Sequence, residues 1–159
     1  MKHLPKHLRP RWRYLAVGIE AWPDADVGRR AFQREAWYAA QNLLGDPGSA
    51  DADLSVLRYR FDDGAGEAIV RVRHGETEPA RAALACVDSV DGAPVRVRIR
   101  GVSGTIRAAE EKYMRGPPEE IGETRVVFRN ADRRAVERSD MLDVETDGGF
   151  TGATRLDFE

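Results

Sequence analysis

The chain has 159 residues, the size of one ordinary domain built on one two-layer core, and its 25 basic and 27 acidic side chains give a formal net charge of −2. A single cysteine, Cys86, excludes an internal disulfide and any multi-cysteine metal site, and it is expected to pack in a helix. No run of about eighteen apolar residues occurs, and no apolar stretch follows the basic N-terminus, so a cytoplasmic protein without membrane span or secretory signal is expected.

Residues 1–14 form a basic arm of net charge +5 that includes Lys6, Arg9, Arg11 and Arg13. His3 and His7 stand at i, i+4 spacing, but Pro5 lies between them and no Glu or Cys completes a ligand set, which favours a cationic arm over a zinc site. Arg13 to Glu20 reads as a first strand. Leu15, Val17 and Ile19 fall on one face and the small Ala16 and Gly18 on the other, where something can pack closely. Asp24 or Asp26 caps a helix running to about Leu44, with Phe32, Ala36, Ala39 and Leu43 as its buried stripe and Gly45 as its end. A turn-rich link over 46–53 leads to a second strand in which Leu57, Tyr59 and Phe61 alternate with Arg58 and Arg60. Asp62 to Gly66 is a hairpin connection into a third strand around Ala68 to Arg73. Thr77 with Pro79 opens a second helix whose Ala80, Ala83, Leu84 and Val87 face inward, and Gly92 closes it.

The fourth strand, Val95 to Arg100, sets Val95, Val97 and Ile99 against Arg96, Arg98 and Arg100. Gly101 and Gly104 allow a sharp turn, and Ser103 or Thr105 can cap a third helix from about Thr105 to Met114. An anion would meet arginines, hydroxyls and helix-start N–H groups here, although an ordinary solvent face has the same pattern. Beyond Met114 the charge is −4. The Gly116 to Glu120 stretch, GPPEE, interrupts any helix, and only short apolar patches follow, with a strand possible near Thr124 to Arg129. Residues 115–159 are thus expected to be an acidic extension, partly disordered, whose loss leaves the core intact.

The order strand, helix, strand, strand, helix, strand is that of an α+β, ferredoxin-like (RRM-like) βαββαβ antiparallel sheet with helices packed on it, followed by a third helix and the acidic extension. The ferredoxin-like part spans 15–114. RNA recognition motifs of this topology read bases through aromatic residues on the third strand. Here that strand is AIVRVR, so stacking on it is not expected. Arg58, Arg60, Arg71, Arg73, Arg96, Arg98 and Arg100 would instead make the open sheet face guanidinium-rich, toward RNA or toward the chain's own acids. Only three of the 25 basic residues are lysine (Lys2, Lys6, Lys112), and the acid excess fits a salt-adapted proteome, with GC-rich coding as a competing cause. In molar salt the Debye length is only about 3 Å, so short-range bidentate arginine contacts matter more than net charge.

No P-loop, dinucleotide fingerprint, G-x-S-x-G elbow or distinguishable acid–base pair is present, so no catalytic residue is assigned. Four segments carry a resemblance instead: LPKHLRPRWRYLAV at Leu4 to Val17, AIVRVR at Ala68 to Arg73, AALACVDSVDG at Ala82 to Gly92, and GVSGTIR at Gly101 to Arg107. In this order, over Leu4 to Met114, the chain resembles the archaeal ribonuclease P protein component 2 family, to which the eukaryotic Pop-five protein belongs. The resemblance implies a subunit of a ribonucleoprotein endoribonuclease that removes the 5′ leader from precursor tRNA, with magnesium held by the catalytic RNA and no cofactor on the protein. It implies pairing with protein component 3 and assembly with the other ribonuclease P proteins. The phosphate-facing candidates are Lys6, Arg9, Arg11 and Arg13 in the arm, and Arg100, Ser103, Gly104, Thr105 and Arg107 at the turn. Two other readings remain open: a ferredoxin-like regulatory domain that binds a small molecule and dimerises through its sheet, and an assembly factor that touches protein alone.

Overall fold

The computed structural model describes residues 3–116, 121–139 and 141–158, and shows an α+β protein with three α-helices and two antiparallel sheets. The first sheet runs β2 (Ser55–Asp62), β3 (Ala65–Arg73), β1 (Trp12–Ala21), β5 (Ala93–Ser103) and β4 (Ser89–Val90) from edge to edge. The continuous apolar stretch of β1 suits its central place, since a strand buried on both faces has no polar alternate. Its odd-numbered residues Leu15, Val17 and Ile19 join Val70, Val72 and Val95 in the main core. Helices α1 (Arg29–Ala52) and α2 (Thr77–Ala85) cover that face through Phe32, Ala36, Ala80 and Leu84.

The even-numbered face of β1 is covered piecemeal. Helix α3 (Ile106–Tyr113) lies across β5, β1 and β3, and its Ala109 and Tyr113 close over Ala16 and Ile69. Missing side chains permit this approach. A Cβ on Gly101 would sit 2.1 Å from the Tyr113 ring, and the Arg100 guanidinium crosses the space left by Gly18. The close contact expected at Ala16 and Gly18 is therefore made by a helix and an arginine from the same domain.

Several local expectations are corrected. Helix α1 is interrupted at Gly45, with φ +73°, but resumes through residues 46–52, because Pro47 is tolerated in a first turn. Leu43 is 48% exposed, and Ala40 takes the buried place in the stripe. A bulge between Val56 and Arg58 leaves Leu57 outside the core, to which Val56, Tyr59 and Phe61 belong. Helix α2 ends at Ala85 with Cys86 exposed, and Asp91–Gly92 closes a β4–β5 hairpin. The φ values of +48° and +79° suit the type I′ turn that an Asp-Gly pair favours.

Over 115–159, expected as a partly disordered acidic extension, the structure holds a second sheet. It runs β6 (Gly122–Phe128), β7 (Ala131–Arg138), β8 (Met141–Thr146) and β9 (Gly149–Ala153) in chain order. One face carries a small core of Ala135, Val144 and Ala153, onto which Phe128 and Phe158 fold. The opposite face docks on the first sheet. Phe150 meets Trp22 edge-on at 5.6 Å, and Arg138 donates to the carbonyl oxygens of Ala21 and Gly64. Of the GPPEE stretch, residues 117–120 lie outside the described residues.

Candidate nucleic-acid interface

Strand β1 orders the open face of the first sheet from Glu20 at one end to Trp12 at the other. At the Glu20 end, Asp143 of the second sheet and Glu20 itself neutralise Arg96 and Arg138. Asp143, only 2% exposed, receives Arg96 Nη2 at 2.7 Å and Arg138 Nε at 2.7 Å, while Glu20 accepts Arg96 Nη1 at 2.7 Å. Burial pulls the Arg96 guanidinium toward its neutral form, but the Asp143 and Glu20 carboxylates outweigh it and hold the group more firmly charged than usual.

In the middle, Glu67 is the acceptor. It takes Arg60 Nη2 at 3.0 Å, the Arg115 backbone N–H at 2.6 Å, and Arg100, which also reaches the Tyr113 carbonyl. Burial alone would raise the Glu67 pKa; the Arg115 N–H, Arg100 and Arg60 reverse this and hold it below the ordinary value. Arg100 is thus turned inward, with its side chain 22% exposed. Strand alternation placed it on the open face correctly but could not show that α3 and the chain leaving it cover this part of the face.

The remaining candidates are divided between the Trp12 end and solvent. The register sets Trp12 against Arg73, Tyr14 against Arg71 and Tyr14 against Ser103, so the start of β1 and the ends of β3 and β5 meet. Arg11 is exposed, and its carbonyl accepts from the His74 N–H at 2.9 Å. The Arg13 guanidinium borders Gly104, where an added Cβ would lie 3.2 Å from Nη1. Thr105 caps α3, its hydroxyl accepting the Ala108 N–H at 3.1 Å. Arg107 projects from the first turn of α3 with 88% of its side chain exposed, paired among the described residues to Glu111 one turn on. Lys6 is exposed in a 3-10 turn (Lys6–Leu8), and Arg9 donates to the Leu4 carbonyl. The arm residues Arg11 and Arg13 and the turn residues Ser103 to Arg107 therefore flank one end of the sheet, whereas Arg100 stands apart.

Sequence reasoning passed over Trp12. It lies on the same face as Tyr14, and the Arg71 and Arg73 guanidinium carbons sit 4.0 and 5.2 Å from its ring centroid. Period-two counting back from Ala16 would have found it. The end of the sheet thus collects Arg11, Arg13, Arg71, Arg73 and Arg107, with Asp53 and Glu111 as the acids paired to them among the described residues. Such a surface can hold phosphate by charge-assisted hydrogen bonds.

Among the described residues no group of three or more His, Cys, Asp or Glu side chains could hold a metal ion, and no helix is long and apolar enough to cross a membrane. The family model described as Rpp14/Pop5 matches residues 13–114. Ribonuclease P protein component 2 of Haloarcula marismortui is 69% identical over 99% of both chains, and that of Natronomonas pharaonis is 64% identical over 99% of this chain and 98% of its own. The protein of the same name from Methanosarcina acetivorans is 35% identical over 72% of this chain and 83% of its own. The second sheet lies beyond the segment matched by the family model but within the length shared with the relatives from halophilic archaea. The end of the sheet that gathers the arginines and the helix that caps it both fall within the matched segment, and the chain belongs to the Rpp14/Pop5 family.

Proposed function

We infer that this chain is a protein subunit of ribonuclease P, the ribonucleoprotein that removes the 5′ leader from precursor tRNA. The observation that carries this reading is membership of the Rpp14/Pop5 family together with near full-length similarity to proteins named ribonuclease P protein component 2. The polypeptide assists a catalytic RNA and does not itself cut. Its deeply buried acids, Glu67 and Asp143, are each bound by two arginines. Such carboxylates are poor metal ligands and poor general bases, so magnesium belongs to the RNA in this reading, where it activates water and stabilises the leaving oxygen.

The first sheet is a ferredoxin-like platform in this account, and its order of β2, β3, β1 and β5 supports that class. Arg11, Arg13, Ser103, Gly104, Thr105 and Arg107 face RNA phosphates, with Lys6 and Arg9 extending the contact along the arm. Arg100 is a structural anchor. Protein component 3 and the other ribonuclease P proteins are its partners, and the complex works in the cytoplasm. A regulatory domain that dimerises through its sheet is disfavoured, because α3 and the second sheet already occupy the face such a dimer would use. The test is recovery of this chain from its native extract at high salt, followed by sequencing of the bound RNA. Enrichment of the ribonuclease P RNA is expected; a chain that emerges with no RNA, or with RNA in the proportions of the extract, would overturn the reading.

A further inference from the structure

Of the aromatic side chains on the open face of the first sheet, Tyr14 and Tyr113 pack into the cluster beneath α3, but Trp12 belongs to none of the three hydrophobic clusters. It is half-buried at the end of β1. The indole N–H meets no acceptor among the described residues, unlike that of Trp37, which donates to the Leu54 carbonyl at 2.7 Å. Two guanidinium groups share its ring, Arg71 at 4.0 Å and Arg73 at 5.2 Å. Arg73 has an acid, Asp53, at 3.4 Å, but Arg71 has no carboxylate among the described residues, and its Nε is buried without a hydrogen-bond partner.

Two like charges on one half-buried ring are an odd choice for stability alone. They suit a ligand that brings both a flat π surface and negative charge. An unpaired nucleotide has both: its base can stack on an indole or on a guanidinium plane, and its phosphate can take the charge of Arg71. A duplex offers phosphates but hides its base faces. We propose that Trp12, with Arg71 and Arg73, forms a seat in which one unpaired base of the bound RNA stacks. The seat rests on the RNA-binding reading above and adds that the RNA is single-stranded at this point. Stacking keeps its strength in molar salt, where phosphate contacts lose most of theirs, so the site suits a chain with salt-adapted composition.

The test follows tryptophan fluorescence of the full chain in molar KCl, titrated with single-stranded oligoadenylate and with the oligoadenylate–oligouridylate duplex. The wild type should be quenched by the single strand and not by the duplex, and W12F should lose the quenching, which assigns the signal to Trp12 rather than to Trp22 or Trp37. W12F keeps an aromatic ring and should bind the single strand within a few-fold of the wild type, whereas W12L should lose roughly 5- to 140-fold. Quenching that survives in W12F, or W12L binding like the wild type, overturns the seat. Should W12L fail to fold by circular dichroism, the comparison of wild type with W12F decides alone. A chain that ignores oligoadenylate yet binds ribonuclease P RNA refutes only the seat; a chain that binds neither refutes the RNA-binding reading as well.

Discussion

Replacing Glu67 by Gln should destabilise the fold by about 3 kcal/mol, although the change is nearly isosteric. The carboxylate is 4% exposed and accepts from Arg60 at 3.0 Å, from the Arg115 N–H at 2.6 Å, and from Arg100. Removing one partner of a buried ion pair costs about 3–5 kcal/mol because the other charge stays buried, whereas an exposed pair is worth at most about 1 kcal/mol. Arg100 is near the first limit, and Arg60, with 35% of its side chain exposed, is discounted toward the second. At about 2–4 °C per kcal/mol for a chain of this size, the midpoint of thermal unfolding should fall by roughly 6–12 °C. The measurement belongs in molar salt, where exposed pairs are screened and the buried one is screened much less. Because the folded-state pKa of Glu67 is depressed below its ordinary 4.5, its contribution is fully present above that value and is lost as pH falls below it, through the folded pKa. E67Q should therefore flatten the acid limb of the stability profile. A shift under about 2 °C, together with an R100M variant that lowers RNA affinity without touching stability, would show that Arg100 faces RNA after all.

Gly101→Ala should cost about 1–3 kcal/mol by driving a methyl into the Tyr113 ring, and Tyr113→Leu in the same chain should recover part of the loss in a denaturant titration. Truncation after Met114 should lower the unfolding midpoint clearly, since it removes Asp143 from Arg96, Phe150 from Trp22 and the Arg115 N–H from Glu67. An unchanged midpoint would make the second sheet a mere passenger. Arg138→Met, which cuts the ties to Asp143, Glu20, Ala21 and Gly64, should expose the second sheet to limited proteolysis before the first. Arg107→Ala should leave stability unchanged and weaken RNA binding, with the salt slope reduced by about 0.7 to 0.9 per lost phosphate contact in dilute salt.

The elements of residues 13–114 were legible because their patterns are local. Leu15, Val17 and Ile19 alternate through β1, and Asp63–Gly64 closes the β2–β3 hairpin with both φ values positive. Asp91–Gly92 carries the same signal, but in sequence a Gly just past an apolar helical stripe reads equally as the helix end. What escaped depends on contacts distant in sequence. Nothing local distinguishes Glu67 and Asp143, which are buried, from the many acids that are not. The small residues Ala16, Gly18 and Gly101 announced a close approach but not whether α3, an arginine or a partner would make it. The second sheet was hidden because its strands break period-two alternation: β7 groups its charges and sets Ala135 beside Val136, and β9 carries one large apolar residue, Phe150, among small ones. Arg134 pairs with Glu123 and Arg138 with Asp143 inside this sheet, but their partners in the rest of the chain, Asp24, Glu20 and Arg96, are met only on docking.

Precursor-tRNA cleavage should be followed across magnesium concentration with the ribonuclease P RNA and the remaining protein components, with and without this chain. The chain should lower the magnesium needed for accurate 5′ cleavage, R107A should give back part of that gain, and the chain alone should cut nothing. An unchanged magnesium dependence, or accurate cleavage by the chain without RNA, would contradict the assignment of the chemistry to the RNA and of support to the protein.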